Sequence, residues 1–261
     1  MAARAIWKGN LKLNSTKLPV KLYSAVQDRT VRFHILDDRA KVRVKQHMVN
    51  ADTGDEVPAE KIQKGYEVEP GTFVILEDEE LKALQPEASR DIEVKQFVPI
   101  KSIPPEFYDR PYYLGPDGNV EDYFSLAEAL NNQKREGVAT WVMRNQMYTG
   151  ALGAVGDYLL LFTLRNAEEV LSAKDLPKPA GRAPDKRELN MAKQLIEMLQ
   201  GEFNPAEFKD EYRDRVMEFI EQKAKGKAPR LRAVKTKRAP ASLDAVLAKS
   251  IAALKKGKRA A

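Results

Sequence analysis

Two histidines, no cysteine and a few acidic runs are the material for bond-making chemistry in this chain of 261 residues. His34 and His47 sit in separate strand-like segments. A histidine-rich metal site needs several imidazoles converging on one point, so each reads as a structural or surface side chain. Glu77, Asp78, Glu79 and Glu80 have the charge to hold a divalent cation. They stand, however, at the start of "DEELKAL", where carboxylates complement the helix dipole and Asp78 can cap the first turn. "GALGAVG" spaces Gly150, Gly153 and Gly156 evenly but precedes a strand. A dinucleotide-binding loop follows one and is spaced differently, so this stretch is expected to be a plain loop. The chain holds no P-loop, no nucleophile elbow and no HExxH pattern. With thiolate chemistry excluded as well, the expectation is a protein that is not an enzyme and carries no metal or cofactor.

What remains is ionic chemistry, and it is distributed unevenly. The net charge of +6 divides into +8 over residues 1–50, −14 over residues 51–222 and +12 over residues 223–261. An acidic body with a basic beginning and a basic tail points to positive surfaces set against a polyanion. The binding residues expected in the first block are Arg4, Lys8, Lys12, Lys17, Arg32, Arg43 and Lys45, with Lys21 beside them and Arg144 added from the middle block. Even spacing on a strand puts Lys8 and Lys12 on one face, and likewise Arg43 and Lys45. The tail contributes Lys225, Lys227, Arg230, Arg232, Lys235, Lys237, Arg238, Lys255 and Lys256. Neither an aromatic comb for single strands nor a recognition helix accompanies these cations, so the expected mode is contact with duplex phosphates and no base reading. Bulky apolar residues do not interleave "KAKGKAPRLRAVKTKRAP" as a membrane-surface segment would require.

These residues need elements to position them, and 43% hydrophobic content is ample for a core. "AIWKGNLKL", "VKLYSAV", "VRFHIL", "KVRVKQHMV", "TFVILE", "DIEVKQFVPI" and "RPYYL" alternate or carry β-branched and aromatic residues between turn-forming stretches, which predicts a barrel or sandwich. "DEELKAL" and "EDYFSLAEALNN" are expected as helices, the second with Phe124, Ala127 and Leu130 as its apolar stripe. "YLLLFTL" reads as a strand buried on both faces. After the Pro-rich "DLPKPAGRAP" the period becomes helical. Asp185 caps one helix with Leu189, Ala192, Ile196 and Leu199 on a face, and Asn204-Pro205 starts another with Phe208, Tyr212, Val216 and Phe219. The class is therefore α+β, divided into a core over residues 1–180, a helical arm over 181–222 and a flexible basic tail over 223–261, with a short amphipathic helix expected at 242–256. No run of about 18 apolar residues and no signal peptide is found, so a soluble, intracellular protein is expected.

The chain also resembles a known family, the bacterial Ku proteins of DNA double-strand break repair. The resemblance spans roughly residues 3–225. It rests on "ARAIWKGNLKL", "LPVKLYSAV", "KGYEVEPGTFVILEDEEL", "IEVKQFVPIKSIPPEFYDRPYYLGPDG", "GVATWVMRNQ" and "ELNMAKQLIEMLQGEFNPAEFKDEYRDRVMEFIEQKAKG", in that order. It implies a β-barrel core with inserted extensions that encircle duplex DNA in a homodimeric ring. It further implies binding of broken ends in non-homologous end joining, recruitment of the multidomain bacterial ligase, and a cytoplasmic, nucleoid-associated location. Where many relatives have paired cysteines this chain has "HMVNADTGDEVP", and where relatives often have "LRP" it has "GALGAVGDY", so no metal role and no arginine of that loop carries over. The alternatives are a nucleoid-type protein that coats duplex anywhere, and a metal-dependent nuclease using the acidic middle.

Overall fold

In the computed structural model, residues 3–178 and 180–226 are described, and they fall into two compact units. The first takes Met1–Arg29 with His34–Asp175, and the second takes Thr30–Phe33 with the residues from Leu176 onward.

The first unit is built on strands. In β1 (Trp7–Leu13) and β2 (Thr16–Ser24), alternate residues Leu11, Leu18, Val20 and Leu22 are buried while the intervening lysines face out. A two-residue turn joins them, with Asn14 at φ 54°, a left-handed conformation that asparagine tolerates. Next come β3 (Lys64–Glu69), β4 (Thr72–Leu76), the short helix α1 (Asp78–Ala83), β5 (Asp91–Pro99), β6 (Tyr108–Pro116) and helix α2 (Val120–Gln133). The hairpin strands β7 (Arg135–Met143), β8 (Gln146–Val155) and β9 (Tyr158–Leu164) complete the unit. Seven strands close a barrel in the order β1-β2-β6-β9-β8-β7-β5, and β3 with β4 forms a separate two-stranded sheet. The barrel ladders are antiparallel except where β5 returns to β1, pairing in parallel from Asn10↔Asp91 to Leu13↔Val94.

The barrel is filled by side chains, with Leu11, Val20, Leu22, Ile92, Leu114, Leu152, Leu159 and Leu161 fully buried. Helix α2 packs against β7, β8 and β9 and adds Tyr123, Ala127 and Leu130 to the same core. Of the apolar stripe expected from sequence, Ala127 and Leu130 are buried as expected, but Tyr123 takes the inside place and Phe124 is 45% exposed. The Tyr123 hydroxyl explains the choice, because it donates to the Leu114 carbonyl and accepts from the Leu159 N–H at 2.9 Å, tying α2 to β6 and β9. Buried Thr163 does similar work at the bulge of β6, its Oγ1 accepting from Arg110 N–H at 2.9 Å.

Other expectations are corrected. "VRFHIL" and "KVRVKQHMV" are not strands; the segment carries only isolated bridges, Leu36↔Arg43 and Val49↔Glu56. Its Phe33, Ile35, Val42 and Val44 are exposed, and β-branched residues make a strand only where a ladder partner and a covered face exist. "GALGAVG" is not a loop: Gly150 and Gly153 lie inside β8, and only Gly156, at φ 56°, turns the chain. A Cβ at Gly150 would come within 2.4 Å of the Phe162 carbonyl oxygen and 2.6 Å of the Trp141 ring, so the glycine makes room for an indole inside the barrel. "YLLLFTL" buries Leu159, Leu161 and Thr163 fully, whereas Leu160, Phe162 and Leu164 on the outer face are only half-buried. Helix α1 is capped by Glu77, not Asp78: Glu77 and Glu80 form a reciprocal capping box.

In the second unit, α3 (Lys186–Met198) starts where expected, with Asp185 accepting from Glu188 N–H at 2.9 Å. Asn204-Pro205 opens only a single turn, Pro205–Glu207; α4 (Glu211–Ala224) begins later, capped by Asp210. Phe208 therefore lies outside the helix and stacks on Phe203, 5.5 Å between centroids. Leu189, Ile196, Leu199, Phe208 and Tyr212 are all exposed. Among the described residues no helix is long and apolar enough to cross a membrane.

Two substitutions test this packing. Tyr123→Phe, which strands the Leu114 carbonyl and the Leu159 N–H, should cost about 1–3 kcal/mol in urea unfolding. Gly150→Ala should destabilise by about the same amount, because neither the Phe162 backbone nor Trp141 can retreat without strain.

Candidate nucleic-acid interface

The outer face of β2, β1 and β5 gathers the lysines that stood out in the sequence, together with carboxylates that did not. Lys8 Nζ lies 3.2 Å and Lys21 Nζ 2.5 Å from Asp117. Lys17 Nζ is 2.6 Å from Asp91, which also accepts from the Asn10 side-chain amide at 3.0 Å. Lys12 Nζ is 3.2 Å from Glu93, and Lys95 holds the other oxygen of the same carboxylate. Five lysines thus meet three carboxylates, leaving a modest positive surplus spread over a neutralised lattice. A phosphate approaching this face would compete with carboxylates already in place.

The lattice leaves its mark on protonation. Lys17 and then Asn10 hold Asp91 below the ordinary aspartate range. Lys21 and then Lys8 do the same to Asp117, and Lys95 and then Lys12 to Glu93. Lys21 is itself raised by its bond to Asp117. Between β6 and β7, burial and the Glu136 carboxylate push the Tyr108 phenol above its ordinary range, its hydroxyl donating to Glu136 at 2.6 Å.

Arg43 and Lys45 share no strand, because their segment forms none; Arg43 Nη2 sits 2.9 Å from His34 Nε2 instead. Arg32 belongs to the second unit. Arg144 stands at the apex of the β7–β8 hairpin at φ 52°, followed by Asn145 at φ 61°, which is the two-residue turn that matches strand twist. Arg4, Lys45, Arg144 and Lys225 are exposed and make no side-chain hydrogen bond or ion pair among the described residues. Lys227, Arg230, Arg232, Lys235, Lys237, Arg238, Lys255 and Lys256, and the short helix expected at 242–256, lie outside the described residues.

The acidic run is explained locally: Glu77 and Glu80 cap α1, and Asp78 is held by Lys64 at 2.8 Å. His47 bonds Glu56. Among the described residues no group of three or more His, Cys, Asp or Glu side chains is placed to hold a metal ion. Sequence reading missed Asp91, Glu93 and Asp117 as partners of the lysines. The period-two charges of "DIEVK" signal an outward strand face, but nothing in them announces a parallel neighbour 81 residues away.

A closed seven-strand barrel with appended helices and a charged outer face defines an α+β protein built on a β-barrel. Residues 12–191 match the family model described as the Ku70/Ku80 beta-barrel domain. A Geotalea uraniireducens protein named non-homologous end joining protein Ku 2 is 42% identical over 226 residues, covering 87% of this chain and 88% of that one. Proteins named non-homologous end joining protein Ku from Anaeromyxobacter sp. (strain K) and Coxiella burnetii are 40% and 36% identical, over 87% and 86% of this chain and 77% and 84% of theirs. The chain belongs to the Ku family.

The lattice makes a pH prediction. A depressed folded pKa means that the pairing stabilises the protein above the unfolded carboxylate pKa and that this contribution is lost as the pH falls through the folded value. Carboxyl-carbon NMR should show Asp91 and Asp117 titrating below the ordinary aspartate pKa of about 3.9. Lys17→Met should return Asp91 towards it and leave Asp117 unmoved.

Proposed function

We propose that this protein binds the ends of double-stranded DNA without sequence specificity, as a homodimeric ring, and recruits the multidomain bacterial ligase in non-homologous end joining. The observation that carries this reading is near-full-length similarity, in both chains, to relatives named for end joining. The chain holds DNA and leaves catalysis to the ligase, acting in the cytoplasm at the nucleoid.

Physical features support the ring, the dimer and the mode of DNA contact. A ring can be entered only from an end, so topology supplies end preference while phosphate contacts supply affinity, and base reading is unnecessary. The β3–β4 sheet favours a second copy: Tyr66, Val68 and Val74 on one face and Phe73 and Ile75 on the other are all about half exposed or more. Two strands alone are marginal in water, and an apolar sheet bare on both faces suits burial against a partner. The net −14 of residues 51–222 disfavours DNA contact by that part of the chain. Among the cations, those without carboxylate partners, Arg4, Lys45, Arg144 and Lys225, join the tail as the strongest phosphate contacts, and the paired Lys8, Lys12 and Lys17 contribute less. Arg32 and Arg43 complete the set.

Competition binding tests the reading: a labelled linear duplex against closed circular plasmid and the same plasmid linearised. Only the linear plasmid should displace the probe; equal competition by closed circles would replace the ring with a protein that coats duplex anywhere. A chain ending at Gln222 should keep this preference and lose salt dependence, about 0.9 in log K per log salt for each phosphate contact removed. Tyr66→Asp with Phe73→Asp, one change on each face of the hairpin, should weaken the dimer at least about tenfold in sedimentation, equivalent to about 1.4 kcal/mol.

A further inference from the structure

Strand register sets Lys8 directly opposite Lys21 and Lys12 directly opposite Lys17 on the outer face of the barrel. Like charges placed this way destabilise a sheet, so stability gives no reason for two such pairs. Along β1 the pairs stand four residues apart, about 13 Å, close to the ~12 Å width of the duplex major groove. Cations so spaced match the two rows of phosphates that border a groove.

Every one of these lysines is nevertheless held. Lys8 and Lys21 share Asp117, Lys17 takes Asp91, and Lys12 and Lys95 share Glu93. The acids come from distant parts of the chain, Asp91 and Glu93 from β5 and Asp117 from the turn after β6, so the pairing is made by the fold. It also lies on an open surface. A duplex can rest against the outside of a barrel at any point along its length without presenting an end, and freed lysines there would hold it by its phosphates.

We propose that Asp91, Glu93 and Asp117 determine the specificity of DNA binding: they keep these lysines from the phosphates of an uninterrupted duplex and so confine binding to ends. The inference rests on the end-binding reading above and adds to it the residues that exclude its alternative, the coating of duplex anywhere. Each carboxylate acts locally, by occupying ammonium groups already in place, and not through the net charge of the chain.

The test compares the full chain with a variant carrying Asp91→Asn, Glu93→Gln and Asp117→Asn, using a labelled linear duplex against closed circular or linearised plasmid over a range of salt. Closed circles should displace the probe from the variant at least about tenfold more readily than from the unaltered chain. The variant's log K should also steepen by about 0.9 per log salt for each lysine that gains a phosphate. A control with Glu106→Gln, Glu128→Gln and Glu168→Gln, an equal change of charge at exposed side chains without partners among the described residues, should show neither effect.

Closed circles that compete fully against the unaltered chain would remove the end-binding reading itself. With that chain selective for ends, a variant that still rejects closed circles, an unchanged salt slope, or the same gain in the control would each overturn this proposal alone. If the triple variant fails to fold, Asp117→Asn decides: its gain should vanish when Lys8→Met and Lys21→Met are added, and a gain that persists without those lysines would overturn the proposal.

Discussion

The parallel ladder between β1 and β5 is the contact on which the rest of this molecule depends. Without it the other six pairings would make an open, curled sheet with two raw edges; with it the edges vanish and the interior is sealed. The same four-residue register brings Leu11 beside Ile92, both fully buried, and on the outer face brings Asn10 beside Asp91 and Lys12 beside Glu93. Period-two geometry makes these consequences inseparable, because sliding the register by one residue would turn leucines outward and lysines inward.

That coupling alters how the cations should be weighed. Counted along the chain, the first 50 residues are a basic block. Folded, their lysines on the barrel meet carboxylates contributed by β5 and by the turn after β6, so the electrostatic field of the face is much weaker than the count implies. Exposed ion pairs of this sort add little to stability. Their effect is to fix where lysine heads sit and to leave unpaired charge to positions such as the β7–β8 hairpin tip, where Arg144 stands.

Apolar surface outside the barrel has a different logic. The β3–β4 sheet and the faces of α3 and α4 carry tyrosine, phenylalanine, leucine and isoleucine that the described residues leave open. Each is too small an element to bury both its own faces. In the proposed homodimer these are the surfaces left for a second copy to cover, whereas the barrel is filled by its own side chains.

Amino-acid order by itself determined which stretches alternate, where helices begin and how charge is divided. The strands at 7–13, 91–99 and 158–164, the cap at Asp185 and the capping role of the Glu77–Glu80 run follow from short-range physics: pleat period, helix dipole and orphan N–H groups. Long, ordered matches to a family were legible for the same reason that a fold is heritable, since they record the whole core at once. Tertiary structure alone decided the rest. Whether "VRFHIL" becomes a strand depends on a ladder to pair with, and among the described residues it has only the single Leu36↔Arg43 bridge. Whether a glycine-rich stretch is loop or strand depends on an indole needing the space above Gly150. Whether Lys12 and Lys17 are available depends on acids 81 and 74 residues away. Closing a barrel pairs residues by position in space, and separation along the chain carries no trace of it.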